Sequence, residues 1–308
     1  MAASRGAKRT GQARAPQAAS AATTAKAAAK AAAKAGATAK AAAKVAAKAG
    51  EGEGELSAAA MSLTLVRGLR VLSAFRGVQE VLSNGELSSR LGLTRPTVSR
   101  LCNSLAHAGY LERVKTGSFR LGLGVLELAY PVLASMTFRQ RALGPMRGFA
   151  RIAGGAVSLA TIRGPDLIYV QTIRPSETMP HLPEIGMTGP LVRSAIGRAL
   201  LSMLTEEEFA AARAASDAAY PGMWEAREAD IARSLAECHD RGYTVVTGDW
   251  RPGHYGAGAP VTRLAGGMCL AVNCGVPVHT VSDAEFLSQI APKVRDTAAA
   301  LRDAFAGL

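Results

Sequence analysis

Four punctuation points from Ser83 to Gly109 restrict that stretch of chain to one local fold. Ser83 with Glu86 three residues later forms a capping box, in which each side chain accepts from a backbone N–H that the first turn of a helix leaves free. Gly92 ends that helix after Leu91, because a residue without a Cβ takes the left-handed conformation of a helix C-terminus without strain. Thr94 opens the next helix and Gly109 stops it. Upstream, Leu65, Leu69, Leu72 and Phe75 recur at three- and four-residue spacing and predict an amphipathic helix over residues 63 to 76. A short helix from Glu86 to Leu91, a turn and a longer helix after Thr94 read as a helix-turn-helix.

The longer helix sorts its own side chains. Val98, Leu101, Cys102 and Leu105 fall on one face, which leaves Pro96, Ser99, Arg100 and Asn103 on the other. Arginine pairs bidentately with guanine and asparagine with adenine in a major groove, so the outward face has the chemistry of base readout. The candidate DNA-contacting residues are Arg95, Thr97, Ser99, Arg100 and Asn103. Past Gly109, Tyr110 to Arg113 and Ser118 to Leu121 predict two short strands around Lys115, Thr116 and Gly117, forming a wing. Its cations Arg113, Lys115 and Arg120 suit phosphate or minor-groove contacts, which position a protein on DNA without reading its sequence.

Charge follows the same division. The net +12 of the 308 residues is gathered at the front: residues 1 to 50 hold ten Lys and Arg and no acid, and residues 51 to 60 hold three acids, Glu51, Glu53 and Glu55. Residues 61 to 124 carry nine cations against three acids, and residues 125 to 308 carry seventeen against eighteen. A polyanion is therefore held by the N-terminal part. From Lys26 the chain repeats AAAK, with lysines at 26, 30, 34, 40, 44 and 48. Alanine favours helix, but lysines four apart share a helix face and repel one another. Residues 1 to 60 are expected to form a largely disordered basic tail that gains helix against DNA phosphates. The other reading is a solvated extension, with Met61 as the true start. The repeat resembles the basic tails of linker histones.

Cys102, Cys238, Cys269 and Cys274 show no CxxC spacing and no His/Cys pairing, so neither a disulfide framework nor a zinc site is expected. No apolar run reaches the 18 or so residues that cross a bilayer, and the N-terminus lacks the leucine-rich core of a signal peptide. The expectation is a soluble cytoplasmic protein without membrane contact, metal or cofactor. Ser194, Asp249 and five histidines could be imagined as a hydrolytic set, but no GxSxG elbow, Walker loop, HExxH or dinucleotide fingerprint accompanies them. His107, His181, His239, His254 and His279 read as structural or solvated, no catalytic residue is expected, and an enzyme is not indicated.

Residues 125 to 143 are apolar and helical in rhythm apart from Pro131, and predict a linker helix. Beyond them, strands over 156 to 162 and 167 to 173 flank the turn Gly164, Pro165, Asp166 as a hairpin. A loop rich in proline and glycine, 175 to 190, precedes a helix from Ser194 to Leu204; Thr205 with Glu208 caps another, and a third runs over about 226 to 241. Strands over 243 to 247, 257 to 261 and 268 to 274 come before a last helix capped by Ser282. Hairpins beside segregated helices indicate an α+β fold with an antiparallel sheet. The helix beginning at Ser194 presents the backbone N–H groups of Ala195, Ile196 and Gly197, its dipole favours an anion there, and Gly197 would let a ligand approach closely.

These segments in this order, "LVRGLRVLSAF", "ELSSRLGLTRPTVSRLCNSLAHAGYLER", "GSFRLGLGVLELA", "AVSLATIRGPDLIYVQTIR", "SAIGRALLSML", "RGYTVVTGDW" and "LAVNCGVP", resemble the IclR family of bacterial regulators over residues 62 to 305. The resemblance implies a winged helix-turn-helix DNA-binding domain (61 to 124), the linker helix (125 to 143) and an α/β effector-binding domain (144 to 308) behind the tail. It implies that the first helix and the linker build a homodimer, alone or paired into a homotetramer, on a palindromic operator in double-stranded DNA, with a small organic acid or aromatic metabolite as effector. It places the effector between the helix at Ser194, the loop around Asp249 and the last strand, nominating Ser194, Ala195, Ile196, Val246, Gly256, Asn273 and Gly275. Positions that often carry acidic, Cys or Ser groups in relatives are Val246, Gly256 and Gly275 here, a departure from the family's carboxylate-binding scheme. Asp249, Trp250 and Arg251 are candidates for the missing polarity and an aromatic wall; the alternative is that Asp249 caps a turn and Trp250 is core. A nucleoid-compacting protein dominated by its tail is the rival to a regulator, and it would coat DNA without a discrete footprint.

Overall fold

The computed structural model of the chain describes residues 61–76, 80–175 and 183–307; the basic tail over 1 to 60 and His181 lie outside them. Helix α1 (Leu63–Leu72) is shorter than the apolar pattern predicts. Helix α2 (Asn84–Leu91) carries the capping box, with Ser83 Oγ accepting from the Glu86 N–H at 3.2 Å and Glu86 Oε2 accepting from the Ser83 N–H at 2.8 Å, and Gly92 closes it at φ 66°. Helix α3 (Arg95–His107) and the wing strands β2 (Leu111–Lys115) and β3 (Ser118–Leu121) follow. A strand that the sequence does not predict, β1 (Leu82–Ser83), pairs with β3 through Leu82 and Phe119. At two residues it is too short to show alternation, yet it ties the wing to the start of α2 and completes a sheet of order β1-β3-β2. Val71, Leu82, Leu87, Val98, Cys102, Leu111 and Phe119 close this first core.

The apolar stripe predicted over 63 to 76 is covered only at its C-terminal end, where Leu72 and Phe75 pack against this core. Gly68 and Val71 are buried, whereas Leu65 and Leu69 are 63% and 53% exposed. The single linker helix predicted over 125 to 143 is two helices, α4 (Gly124–Ser135) and α5 (Phe138–Ala153), separated at Met136 and Thr137. Both are apolar enough to continue one pattern, but they serve different partners. α5 buries Phe138, Ala142, Met146 and Phe149, and α4 buries nothing.

The remainder is an antiparallel sheet of six strands with helices on both faces, in the order β6-β5-β4-β9-β8-β7. Its strands are β4 (Ala156–Arg163), β5 (Asp166–Ile173), β6 (Thr188–Pro190), β7 (Thr244–Thr247), β8 (His254–Arg263) and β9 (Cys269–Pro277). The α+β class and the β4–β5 hairpin are as the sequence predicts. β6 falls where the sequence reads as loop; its Pro190 is tolerated because the strand is at an edge and needs no outward donor. Helices α6 (Ala195–Leu201), α7 (Glu206–Ala219) and α8 (Glu228–Arg241), with the short segments that flank them, cover one face of the sheet through Leu191, Ile196, Leu200, Trp224 and Ile231. The other face packs on α5 and on the C-terminal segment, a turn Asp283–Glu285, a π-helical turn Phe286–Ile290 and α9 (Ala291–Phe305).

Candidate nucleic-acid interface and ligand cavity

The buried face of α3 is Val98, Leu101 and Cys102, so helical geometry turns Arg95, Pro96, Arg100 and Asn103 to solvent. Thr97 and Ser99 are half-buried, and the Thr97 hydroxyl meets that of Thr94 at 2.9 Å. The wing does not present three equivalent cations. Arg113 donates to Asn103 Oδ1 at 2.9 Å with its guanidinium over the Phe119 ring, which locks the wing to the outer face of α3. Arg120 pairs across the strands with Glu112 at 2.7 Å, so part of its charge is already neutralised. Lys115 is exposed at the turn.

In the C-terminal domain, close approach of α6 to the sheet shapes a cavity. A Cβ on Gly258 of β8 would collide with the Ala195 carbonyl, and one on Gly197 would collide with the Leu191 carbonyl. Gly197 is therefore small to let its own backbone pack, a correction to its expected role of admitting a ligand, and its N–H is taken by Ser194 Oγ at 3.2 Å. Ile196 also departs from expectation: it is fully buried among Leu191, Leu200 and Trp224, one residue round the helix from the cavity. Ser194 and Ala195 do line the space, a small, partly enclosed cavity of about 40 Å³. Val246, Gly256, Asn273 and Gly275 form its floor, and Trp250 and Arg251 its rim, so Trp250 is wall and not core. Tyr169 from β5 and His254 at the start of β8 also line it. Neither carries a local sequence signal, since strand pairing alone brings them in. Burial pushes the Tyr169 phenol above its usual range.

Asp249 is beside the cavity without lining it. Its carboxylate takes Arg198 at 2.5 Å and Arg227 at 2.9 Å, and its carbonyl accepts from Arg193 at 2.6 and 3.0 Å. Arg198 is 2% exposed; desolvation lowers its pKa and the charge of Asp249 opposes that shift. Three arginines thus fix the loop that carries Trp250 and Arg251, which replaces the expectation that Asp249 contacts a ligand. On the far side of β5, Arg139 of α5 donates to Val170 O at 2.9 Å, to Gln171 Oε1 and, at 3.1 Å, to Leu133 O of α4. One side chain joins the strand of Tyr169 to the end of the helix that leads to the DNA-binding domain.

Residues 64–115 match the IclR helix-turn-helix domain, and residues 130–302 match the family described as bacterial transcriptional regulator IclR C-terminal. The chain is 26% identical over 222 residues to the HTH-type transcriptional regulator XynR of Escherichia coli, covering 71% of this chain and 88% of that protein. Among solved structures it is similar to an IclR family transcriptional regulator from Brucella abortus, with a TM-score of 0.71 and 28% identity over 82% of this chain and 96% of that one. An IclR homologue from Microbacterium hydrocarbonoxydans, solved with 4-hydroxybenzoate, shares the fold at a TM-score of 0.59 and 22% identity, over 78% of this chain and 98% of that one.

Proposed function

This chain belongs to the IclR family of bacterial DNA-binding transcriptional regulators, and from that premise we propose that it binds a palindromic operator as a dimer or dimer of dimers under control of a small organic acid or aromatic metabolite. The observation that carries the reading is one chain holding both an arginine-bearing helix turned to solvent and, in its other domain, a largely apolar cavity with a buried asparagine in its floor. The domains we assign are the tail (1 to 60), the DNA-binding domain (61 to 123), α4 as the linker (Gly124–Ser135) and the effector domain from α5 onward. The ligand bound by the Microbacterium homologue is of the proposed kind. A ligand changes DNA affinity only by its difference in affinity for the DNA-competent and incompetent forms, and Arg139 is placed to carry that difference from β5 to α4.

Gly275 gives the direct test of the cavity. A Cβ there meets nothing within 4 Å, and its strand backbone accepts any residue. Gly275→Val is expected to fold and bind operator like the wild type while losing the response to effector, read as the effector-induced change in operator affinity. A full response in this variant would remove the cavity from the proposal.

The DNA side is tested by a pair of variants. Arg100→Ala is expected to weaken binding to a footprinted site by about 1 to 3 kcal/mol and to weaken random duplex much less, as loss of base readout does. Deleting residues 2 to 60 should do the reverse, sparing site choice and lowering the slope of log K against log salt by about 0.9 for each phosphate that the tail no longer neutralises. Equal losses for Arg100→Ala on both duplexes would assign it to the phosphate backbone. An unchanged slope on deletion would leave the tail as a solvated extension.

A further inference from the structure

The floor of the cavity holds an incomplete hydrogen-bonding group. Asn273 sits on β9 at the centre of the sheet, opposite Ser158 of β4 and Gly258 of β8, and is 9% exposed. Its Oδ1 is buried and meets no donor among the described residues. Neither neighbour supplies one: Gly258 has no side chain, and the Ser158 hydroxyl, which accepts from Thr172 Oγ1 at 3.1 Å, makes no bond to Asn273. Asn84 Oδ1 and Ser216 Oγ are in the same state, but Asn273 is the one of the three that lines this cavity. A buried acceptor without a donor destabilises whatever state leaves it so. A ligand that fills the cavity and brings a donor to this acceptor gains a bond that one without a donor cannot make.

The surroundings restrict the rest of the ligand. Ala195, Val246, Tyr169 and Trp250 give an apolar body a place, and two residues along β9 the open space over Gly275 extends the same face. Arg251 is a fixed positive charge at the rim, beside the Trp250 ring at 5.6 Å, and among the described residues no lining residue is acidic. Resting on the reading of this cavity as the effector site, we propose that it selects small carboxylates that also carry a hydroxyl or N–H donor, received by Asn273 Oδ1, over their counterparts without that donor.

Titration calorimetry of the full-length protein with three matched pairs tests this: 4-hydroxybenzoate against benzoate, lactate against propionate, and 3-hydroxyphenylacetate against phenylacetate. In at least one pair the hydroxylated member is expected to bind about 10- to 100-fold more tightly, the range set by leaving one buried acceptor unpaired. Asn273→Leu should close that gap by weakening the hydroxylated member alone, with Asn273→Val taking its place if the leucine variant fails to melt cooperatively. Equal binding within every pair that binds, or a gap that survives the substitution, overturns the donor requirement and leaves the effector cavity standing. No binding of any probe, or binding that Gly275→Val does not weaken, overturns the effector reading and this inference with it.

Discussion

Asp249→Ala is expected to lower the unfolding free energy of the C-terminal domain by about 3 to 5 kcal/mol, the usual consequence of removing one partner of a buried ion pair. The magnitude follows from what is left behind. Arg198 is 2% exposed, and although its Nε donates to Val192 O at 2.9 Å, the other end of its guanidinium has Asp249 as its anion, with Arg227 on the same carboxylate. Truncation leaves Arg198 desolvated beside another cation. A urea midpoint at constant m-value measures the loss. The double variant Arg198→Met, Asp249→Ala should recover much of it, since an apolar side chain of similar size needs no counter-charge. A loss below about 1 kcal/mol for the single variant would mean that water reaches Arg198 and the cluster is an ordinary surface one. Because Trp250 and Arg251 follow Asp249 directly, effector binding should fall together with stability.

Leu126→Glu with Tyr130→Glu is expected to convert the protein to monomer and lower operator affinity by about 100- to 10,000-fold, the gain that two linked half-site contacts confer over one. Leu126 and Tyr130 lie one turn apart on α4 and are 64% and 73% exposed, beside Leu123 at 73%. On α1, Leu63, Leu65, Val66 and Leu69 are exposed as well. Two helices with bare leucine faces are unfavourable in water, and a second copy of the same chain is the occupant we assign to them. Since neither substituted side chain is buried within one chain, the fold should survive, and sedimentation equilibrium reads the dimer separately from folding. A variant that stays dimeric and keeps its operator affinity would place the interface elsewhere.

The helix starts and stops of the DNA-binding domain were legible because each depends on residues within a few positions. Ser83 with Glu86, Gly92 and Gly109 act where they stand. The wing turn at Gly117, φ 69°, and the β4–β5 turn at Gly164, φ 60°, are of the same kind. Burial is another matter. Periodicity on α1 identified an apolar face but not what covers it, because the spacing reads the same whichever surface the stripe meets. The linker read as one helix for a similar reason: the break at Met136 is imposed by α5 joining the C-terminal core, where Phe138 meets Phe305 with ring centroids 5.8 Å apart.

What the sequence determined by itself, through capping, glycine turns and apolar period, was the set of local elements, the basic helix face and the family. Which side chain of those elements points where was decided by contacts between residues far apart in the chain. Ala195 lines the cavity and Ile196 the core because a helix turns about 100° per residue and the sheet fixes its rotation. Asp249 became an anchor because Arg198 and Arg227, 51 and 22 residues away, converge on it, and no local pattern encodes such a meeting. Asn273 is left without a donor because its neighbours on both adjacent strands withhold one, a fact that exists only once the register of β4, β8 and β9 is set.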